Sequence, residues 1–371
     1  MIYLDYQATT PVAPEVAEAM RPWIAERFAN PHSPSRWGRA AAAAIEVARK
    51  QVEQSIGLSG GRVAFTGSAT EALNWALKGT SERRNGRNRI VTVATEHAVV
   101  LDTCDWLESR GYDVTRLPVG FDGLLNLDAV RAALDESVAV VAVMLVNNEI
   151  GVIQPISKIA ALAHEAGALM LCDAVQALGR VQIPEGPDLL AVSAHKIHGP
   201  KGIGALWMRD GAEPAPLIHG GGQEMGLRSG TLSPALCVGF GAAAKLVSDR
   251  RELDHEHVEQ LWITAGSSLT TEWIINGSMT ERYHGNLNIC WRGVDASRII
   301  AELRDVAFSL GSACASGSGR PSHVLRAIGL SDRDARSSIR LGFGRYTSQE
   351  EIIDAVSRID AAARAQRGLA A

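Results

Sequence analysis

Apolar positions along this chain fall into two alternating rhythms. Short, nearly continuous apolar runs at 62–65, 89–94, 138–146, 169–172, 188–192 and 205–208 predict buried strands, because only a strand covered on both faces tolerates so few polar positions. Between them lie stretches with helical spacing. The longest, 38–56, is alanine-rich and sets Ile45, Ala48, Val52 and Ile56 on one face. Strand and helix in alternation predict an α/β fold with a mainly parallel sheet between helical layers. A helix over 234–250 would carry the chain out of that layer.

From about residue 251 the rhythm changes to a smaller α+β pattern. Strands are expected at 286–290, 306–309 and 339–343, and helices at 295–303 and 349–363. Near the N-terminus the helical pattern 14–28 contains Pro22, which lacks a backbone donor and should kink or divide it. No internal repeat and no low-complexity linker interrupts the chain.

Composition narrows the classes. A length of 371 residues is enough for two cores, and a formal net charge of −4 argues against nucleic-acid binding through bulk electrostatics. No apolar run approaches the roughly 20 residues of a membrane span, and Met1-Ile2-Tyr3-Leu4-Asp5 shows no secretory signal. Cysteines 104, 172, 237, 290 and 314 are odd in number and scattered, with no C-x-x-C pair, so neither a disulfide framework nor a structural zinc site is expected. A cytoplasmic protein with reduced thiols fits best.

Three segments carry candidate chemistry. Ser193-Ala194-His195-Lys196-Ile197-His198-Gly199-Pro200-Lys201-Gly202 sets a lysine between histidines, and a lysine whose charge is disfavoured can bond a carbonyl such as the aldehyde of pyridoxal phosphate. Ser193 and His195 could then meet its phosphate. Asp173 ends the apolar run 169–172, where a carboxylate could pair with a protonated pyridine nitrogen. Thr66-Gly67-Ser68-Ala69-Thr70-Glu71 follows a strand and opens a helix, which makes Ala69 and Thr70 candidates for an anion site.

Taken with further blocks, these residues resemble the cysteine desulfurases of the NifS/IscS kind, in the class V aminotransferase group of fold-type I pyridoxal phosphate enzymes. The blocks are 3–11, Thr95-Glu96-His97, Val146-Asn147-Asn148-Glu149-Ile150-Gly151, Gln154-Pro155-Ile156, 220–231, 309–317 and 339–345. The resemblance implies a large domain at 13–250 with a mainly parallel seven-stranded sheet. It adds a small domain built from 1–12 and 251–371. It implies conversion of L-cysteine to L-alanine, with sulfur passing to Cys314 as a persulfide and on to an acceptor for iron–sulfur cluster assembly or thiolation.

Lys196 is then the residue that bonds the cofactor and moves the α-proton, and Asp173 holds the ring nitrogen. Gln176 meets the ring oxygen, and His97 stacks on the ring and assists proton transfer. Ala69, Thr70, Ser193 and His195 hold the phosphate, joined by Thr231 from a second subunit of a homodimer. Arg340, with Asn148, takes the substrate carboxylate. The alanine- and glycine-rich surroundings of Cys314 suit a thiol that must collect sulfur and then present it.

The chain departs from the family at three places. Met225 stands where an arginine is usual, Ser35 where a histidine often stands, and the residues after the closing helix are fewer than in housekeeping relatives. A selenocysteine lyase or another class V enzyme is the alternative, which Cys314 disfavours; a non-enzymatic scaffold is disfavoured by intact Lys196, Asp173, His97 and Arg340.

Overall fold

A computed structural model describes residues 1–83, 86–310 and 321–368. Strand β1 (Ile2–Tyr3) leads through α1 (Pro14–Ala25) and α2 (Arg36–Ile56) into a seven-stranded sheet. Its strands are β2 (Gly61–Thr66), β3 (Arg89–Val93), β4 (Asp113–Leu117), β5 (Val138–Met144), β6 (Leu169–Asp173), β7 (Leu189–Ser193) and β8 (Gly204–Arg209). Helices α3 (Ala69–Arg83), α4 (Ala98–Glu108), α5 (Leu127–Ala132) and α6 (Ile156–Glu165) make the crossovers, and α7 (Pro234–Asp249) follows the sheet.

The spatial order of the strands is β2-β8-β7-β6-β5-β3-β4. Pairs β4/β3, β3/β5, β5/β6 and β6/β7 are parallel, whereas β8 runs antiparallel to both β7 and β2. The expected mainly parallel α/β sheet is therefore present. Every residue of β5 and β7 is buried, as their unbroken apolar runs require. Strand β4 is missing from the sequence reading because Asp113-Val114-Thr115-Arg116-Leu117 alternates as a half-exposed edge.

Beyond α7 the chain enters α8 (Arg251–Ser268) and then β9 (Ile274–Ile275) and β10 (Asn286–Cys290). Helix α9 (Ala296–Glu302) precedes β11 (Val306–Ala307) and β12 (Ser309–Leu310). Short helices α10 (His323–Ala327) and α11 (Asp332–Arg336) precede β13 (Ser338–Gly342) and the closing α12 (Gln349–Gln366). A four-stranded sheet runs β12-β13-β10-β9, and β1 pairs in parallel with β11. The single strand expected at 306–309 is thus two short strands in different sheets. The two largest apolar clusters follow the same partition, one spanning Ala13 to Val247 and the other joining Leu4 to residues from Leu261 to Ala363, while a small cluster joins Ile150 and Val152 to Val324, Leu325, Ile328 and Ala335 across it.

One local expectation is corrected. Pro22 does not divide α1, which runs as one helix from Pro14 to Ala25. Pro22 lies in its last turn, and the only acceptor it deprives is the carbonyl of exposed Glu18, which water can reach. Helix α2 begins at Ser35, whose hydroxyl caps the amide of Gly38 at 3.1 Å; the residue that departs from the family is a good N-cap.

The turn before α3 is set by close contact with β8. A Cβ on Gly204 would lie 2.5 Å from the carbonyl carbon of Ser68 and 2.6 Å from the nitrogen of Ala69. Gly204→Ala should therefore push the 67–70 turn outward and destabilise the protein by about 1–3 kcal/mol. Urea unfolding would check this, and an unchanged midpoint would refute the tight fit.

Candidate active site

Parallel strands deliver their C-terminal ends to one edge of a sheet, and ligand crevices form there. Here Val93 ends β3 shortly before His97, Met144 ends β5 before Asn148, Asp173 ends β6, and Ser193 ends β7 just before a single 3₁₀ turn holding His195 and Lys196. Because β2 runs antiparallel to β8, Thr66 also ends at this edge, opposite Gly204. All of these converge on one cavity of about 300 Å³. Ala69, Thr70, His97, Asn148, Asp173, Gln176, Ser193, His195, Lys196 and Arg340 all line it.

One end of the cavity suits an anion. Ala69 and Thr70 open α3, where backbone amides have no carbonyl of their own helix to bond. Ser193 and His195 line the same cavity. His195 Nδ1 lies 3.1 Å from Thr9 Oγ1, and burial, then the cations of Lys196, Lys201 and Arg180, push the imidazole down to about 4. It is neutral at pH 7. The turn itself is braced by Glu71, which accepts from the Gly67 amide at 2.8 Å and pairs with Arg228 at 2.7 Å.

The other end is acidic. Asp173 is buried and accepts from the Val175 amide at 2.9 Å. Burial raises its carboxyl above the usual range, opposed by that amide, by His97 and by Lys196. A cation placed against it would restore the ionised form.

His97 has two roles in the structure. It is the N-cap of α4, its Nδ1 accepting from the Val99 amide at 3.1 Å, and it also lines the cavity. With Nδ1 held as an acceptor, the neutral ring carries its proton on Nε2. Burial lowers the tendency of His97 to charge, Asp173 opposes that, and Lys196 reinforces it.

Lys196 Nζ donates to the carbonyl of Gln7 and, at 2.8 Å, to that of Ala8, so the N-terminal segment lies directly over the amine. Gln176 Nε2 donates to the same Gln7 carbonyl at 2.9 Å. Thr231 is exposed and does not line this cavity. Cys314 lies outside the described residues. The neighbouring departure, Met225, is half-exposed in a left-handed conformation, and Arg62 Nη1 reaches its Sδ at 3.6 Å. Next to it Glu224 is buried, accepting from Arg49 at 2.7 Å and from the Phe65 amide at 2.6 Å, which fixes the glycine-rich loop to the sheet edge. Among the described residues, no group of histidine, cysteine and carboxylate side chains could hold a metal ion, and no helix is long and apolar enough to cross a membrane.

The chain matches known proteins over nearly its whole length. The model of the family described as aminotransferase class-V matches residues 2–355. The chain belongs to the class V aminotransferase family. Within it, the chain is 44% identical to a protein named cysteine desulfurase IscS from Rickettsia bellii (strain OSU 85-389), over 96% of this chain and 90% of that protein. A solved structure titled NifS-like protein superposes with a TM-score of 0.90 at 31% identity, covering 97% of this chain and 98% of that one. Another, titled SspA in complex with cysteine, gives 0.82 at 36% identity over 94% and 100% of the two chains. The fold is accordingly that of the fold-type I pyridoxal phosphate enzymes.

One residue tied to the site escaped the sequence reading: Asp5, the partner of Arg340. Arg340, on β13 and 1% exposed, donates from Nη2 to Asp5 Oδ1 at 2.7 Å and from Nη1 to the Asn148 carbonyl at 3.0 Å, while its Nε has no partner. The guanidinium is thus held by a structural ion pair as well as facing the cavity. No spacing rule joins residues 335 positions apart, but a buried arginine in an apolar strand does signal that a carboxylate must exist somewhere. Asp5→Ala should strand the Arg340 charge and destabilise the protein by about 3 kcal/mol, measurable by urea unfolding. A loss below 1 kcal/mol would show that the pair carries little of the fold.

Proposed function

We propose that this class V enzyme, a cysteine desulfurase, binds pyridoxal 5'-phosphate in the 300 Å³ cavity and uses the residues gathered there on L-cysteine. The observation that carries the reading is the set of groups lining a single cavity: a helix start with hydroxyls for an anion, a lysine, and a buried carboxylate. These fit the cofactor's phosphate, aldehyde and pyridine nitrogen in turn. When bound, the cofactor supplies an electron sink that loosens the bond between the substrate's Cβ and its sulfur.

The chain's own residues supply the rest. Ala69, Thr70, Ser193 and His195 hold the phosphate, and Asp173 keeps the ring nitrogen protonated. Gln176 donates to the ring oxygen. His97 lies along the ring and, with its proton on Nε2, assists proton transfer. Lys196 holds the cofactor and then carries the α-proton. Arg340 and Asn148 receive the substrate carboxylate, Arg340 through guanidinium protons not given to Asp5 or the Asn148 carbonyl.

The Cys314 thiolate attacks the substrate sulfur; an S–S bond forms, the Cβ–S bond breaks with its electron pair going to carbon, and protonation leaves alanine. The persulfide then passes to a sulfur-acceptor protein serving iron–sulfur cluster assembly or thiolation. The exposure of Thr231, away from its own chain's cavity, supports a phosphate contact in the second subunit of a homodimer. The two apolar clusters support a large unit at 13–250 and a small one at 1–12 with 251–371. A cytoplasmic setting fits free, buried Cys104, Cys172, Cys237 and Cys290.

Two substitutions separate the steps. Lys196→Ala should abolish turnover, and borohydride reduction followed by peptide mapping should place the cofactor of the wild type on Lys196; finding it on Lys201 would move the site. Cys314→Ser keeps size and polarity but replaces a thiolate, the form that attacks sulfur readily, with a weak nucleophile. It should retain the cofactor and change colour with cysteine, yet release neither alanine nor sulfide at more than about a hundredth of the wild-type rate. Near-normal alanine production would defeat the persulfide route.

A further inference from the structure

Behind the cavity floor, Arg180 follows β6 in the turns that also carry Gln176, four residues earlier. Its Nη1 donates to Gln176 Oε1, and its Nη2 donates to the carbonyls of Lys196 at 3.0 Å and Tyr6 at 3.2 Å. The guanidinium also lies 5.5 Å from the centre of the Tyr283 ring. All three acceptors are neutral carbonyls. A permanent cation held at a half-buried position against neutral acceptors gains little stability from its charge.

The consequence falls on Gln176. An amide can present either its oxygen or its NH2 group, and the two ends have nearly the same shape. Arg180 can only donate, so it must face the oxygen, and the NH2 group is turned the other way. One of those protons goes to the Gln7 carbonyl at 2.9 Å, and the second remains for the cavity. A flipped amide would set its oxygen against the Gln7 carbonyl and its NH2 against the guanidinium, which is doubly repulsive. The same guanidinium fixes the backbone of Lys196 while Lys196 Nζ is engaged by Gln7 and Ala8, so three segments distant in sequence meet on one group.

We propose that Arg180 is a positioning residue of the cofactor site: it dictates that Gln176 faces the bound ring as a hydrogen-bond donor. This rests on the cofactor reading given above. Nothing in the sequence marks Arg180 beyond its four-residue separation from Gln176.

The test is a double-mutant cycle on the whole protein, with Arg180→Met, Gln176→Ala and the double variant. Two quantities are read: the dissociation constant of pyridoxal phosphate from the apoprotein by equilibrium dialysis, and the visible absorption maximum of the reconstituted protein. Each single variant should bind about tenfold more weakly, and the double variant no worse than about tenfold, because both changes remove the same donor. Both single variants should shift the absorption maximum in the same direction, a signature that loosened packing would not produce.

Multiplying losses, near a hundredfold in the double variant, or an unshifted maximum in Arg180→Met would overturn the proposal. If Arg180→Met does not fold, Arg180→Gln takes its place. Its amide can donate or accept, so it no longer dictates which way Gln176 turns, and it should give the same weakening and the same shift; wild-type binding and spectrum in Arg180→Gln would equally overturn the proposal. Wild-type protein that binds no pyridoxal phosphate would sink the cofactor reading itself, whereas binding with independent losses would remove Arg180 alone.

Discussion

Parallel pairing of β3, β5, β6 and β7 is the constraint on which this molecule depends. Each parallel strand must be followed by a crossover before the next can begin, so every strand starts at one edge of the sheet and ends at the other. Side chains just beyond the strand ends are therefore brought together however far apart they lie in sequence. His97, Asn148, Asp173 and Lys196 share a cavity for this reason. The antiparallel insertion of β8 adds the helix start at Ala69, because it turns β2 so that Thr66 reaches the same edge.

The N-terminal segment turns that open edge into an enclosed site. Its first strand pairs with β11, and Asp5 then bridges to Gly342, so the segment starts in the second apolar cluster. It goes on to lay the Gln7 and Ala8 carbonyls over Lys196, while Gln7 Nε2 donates to the Gly285 carbonyl at 2.8 Å and Thr10 donates to the His195 carbonyl. A stretch of about ten residues thus joins both clusters to the candidate catalytic lysine. Loss of its contacts would disturb binding and folding together, and Asp5 lies at the junction.

Burial sets the electrostatic character of the cavity. His97 and His195 stay neutral and Asp173 is pushed toward its neutral form, while Arg340 and Arg180 remain charged against fixed acceptors. A site so depleted of carboxylate charge favours an anionic ligand at one end and an ionisable ring nitrogen beside Asp173. It also restricts proton movement to few groups, chiefly Lys196 and the Nε2 proton of His97.

The sequence by itself determined most of the sheet, and ten of the residues it singled out line one cavity. Apolar runs without alternation mark buried parallel strands, and the chemistry of lysine, aspartate and a helix start is local enough to be read from a few neighbouring residues. Strand β4 was lost because an edge strand carries charged residues. Pro22 was over-read because its effect depends on whether water can reach one carbonyl. Tertiary structure alone decided what depends on long separations: that Asp5 holds Arg340, that the Gln7 and Ala8 carbonyls cover Lys196, and that Arg180 sets the direction of the Gln176 amide. Hydrogen bonds between segments brought together only by folding leave no periodic trace in the chain, since they require complementary groups at a distance in space and impose no spacing along it.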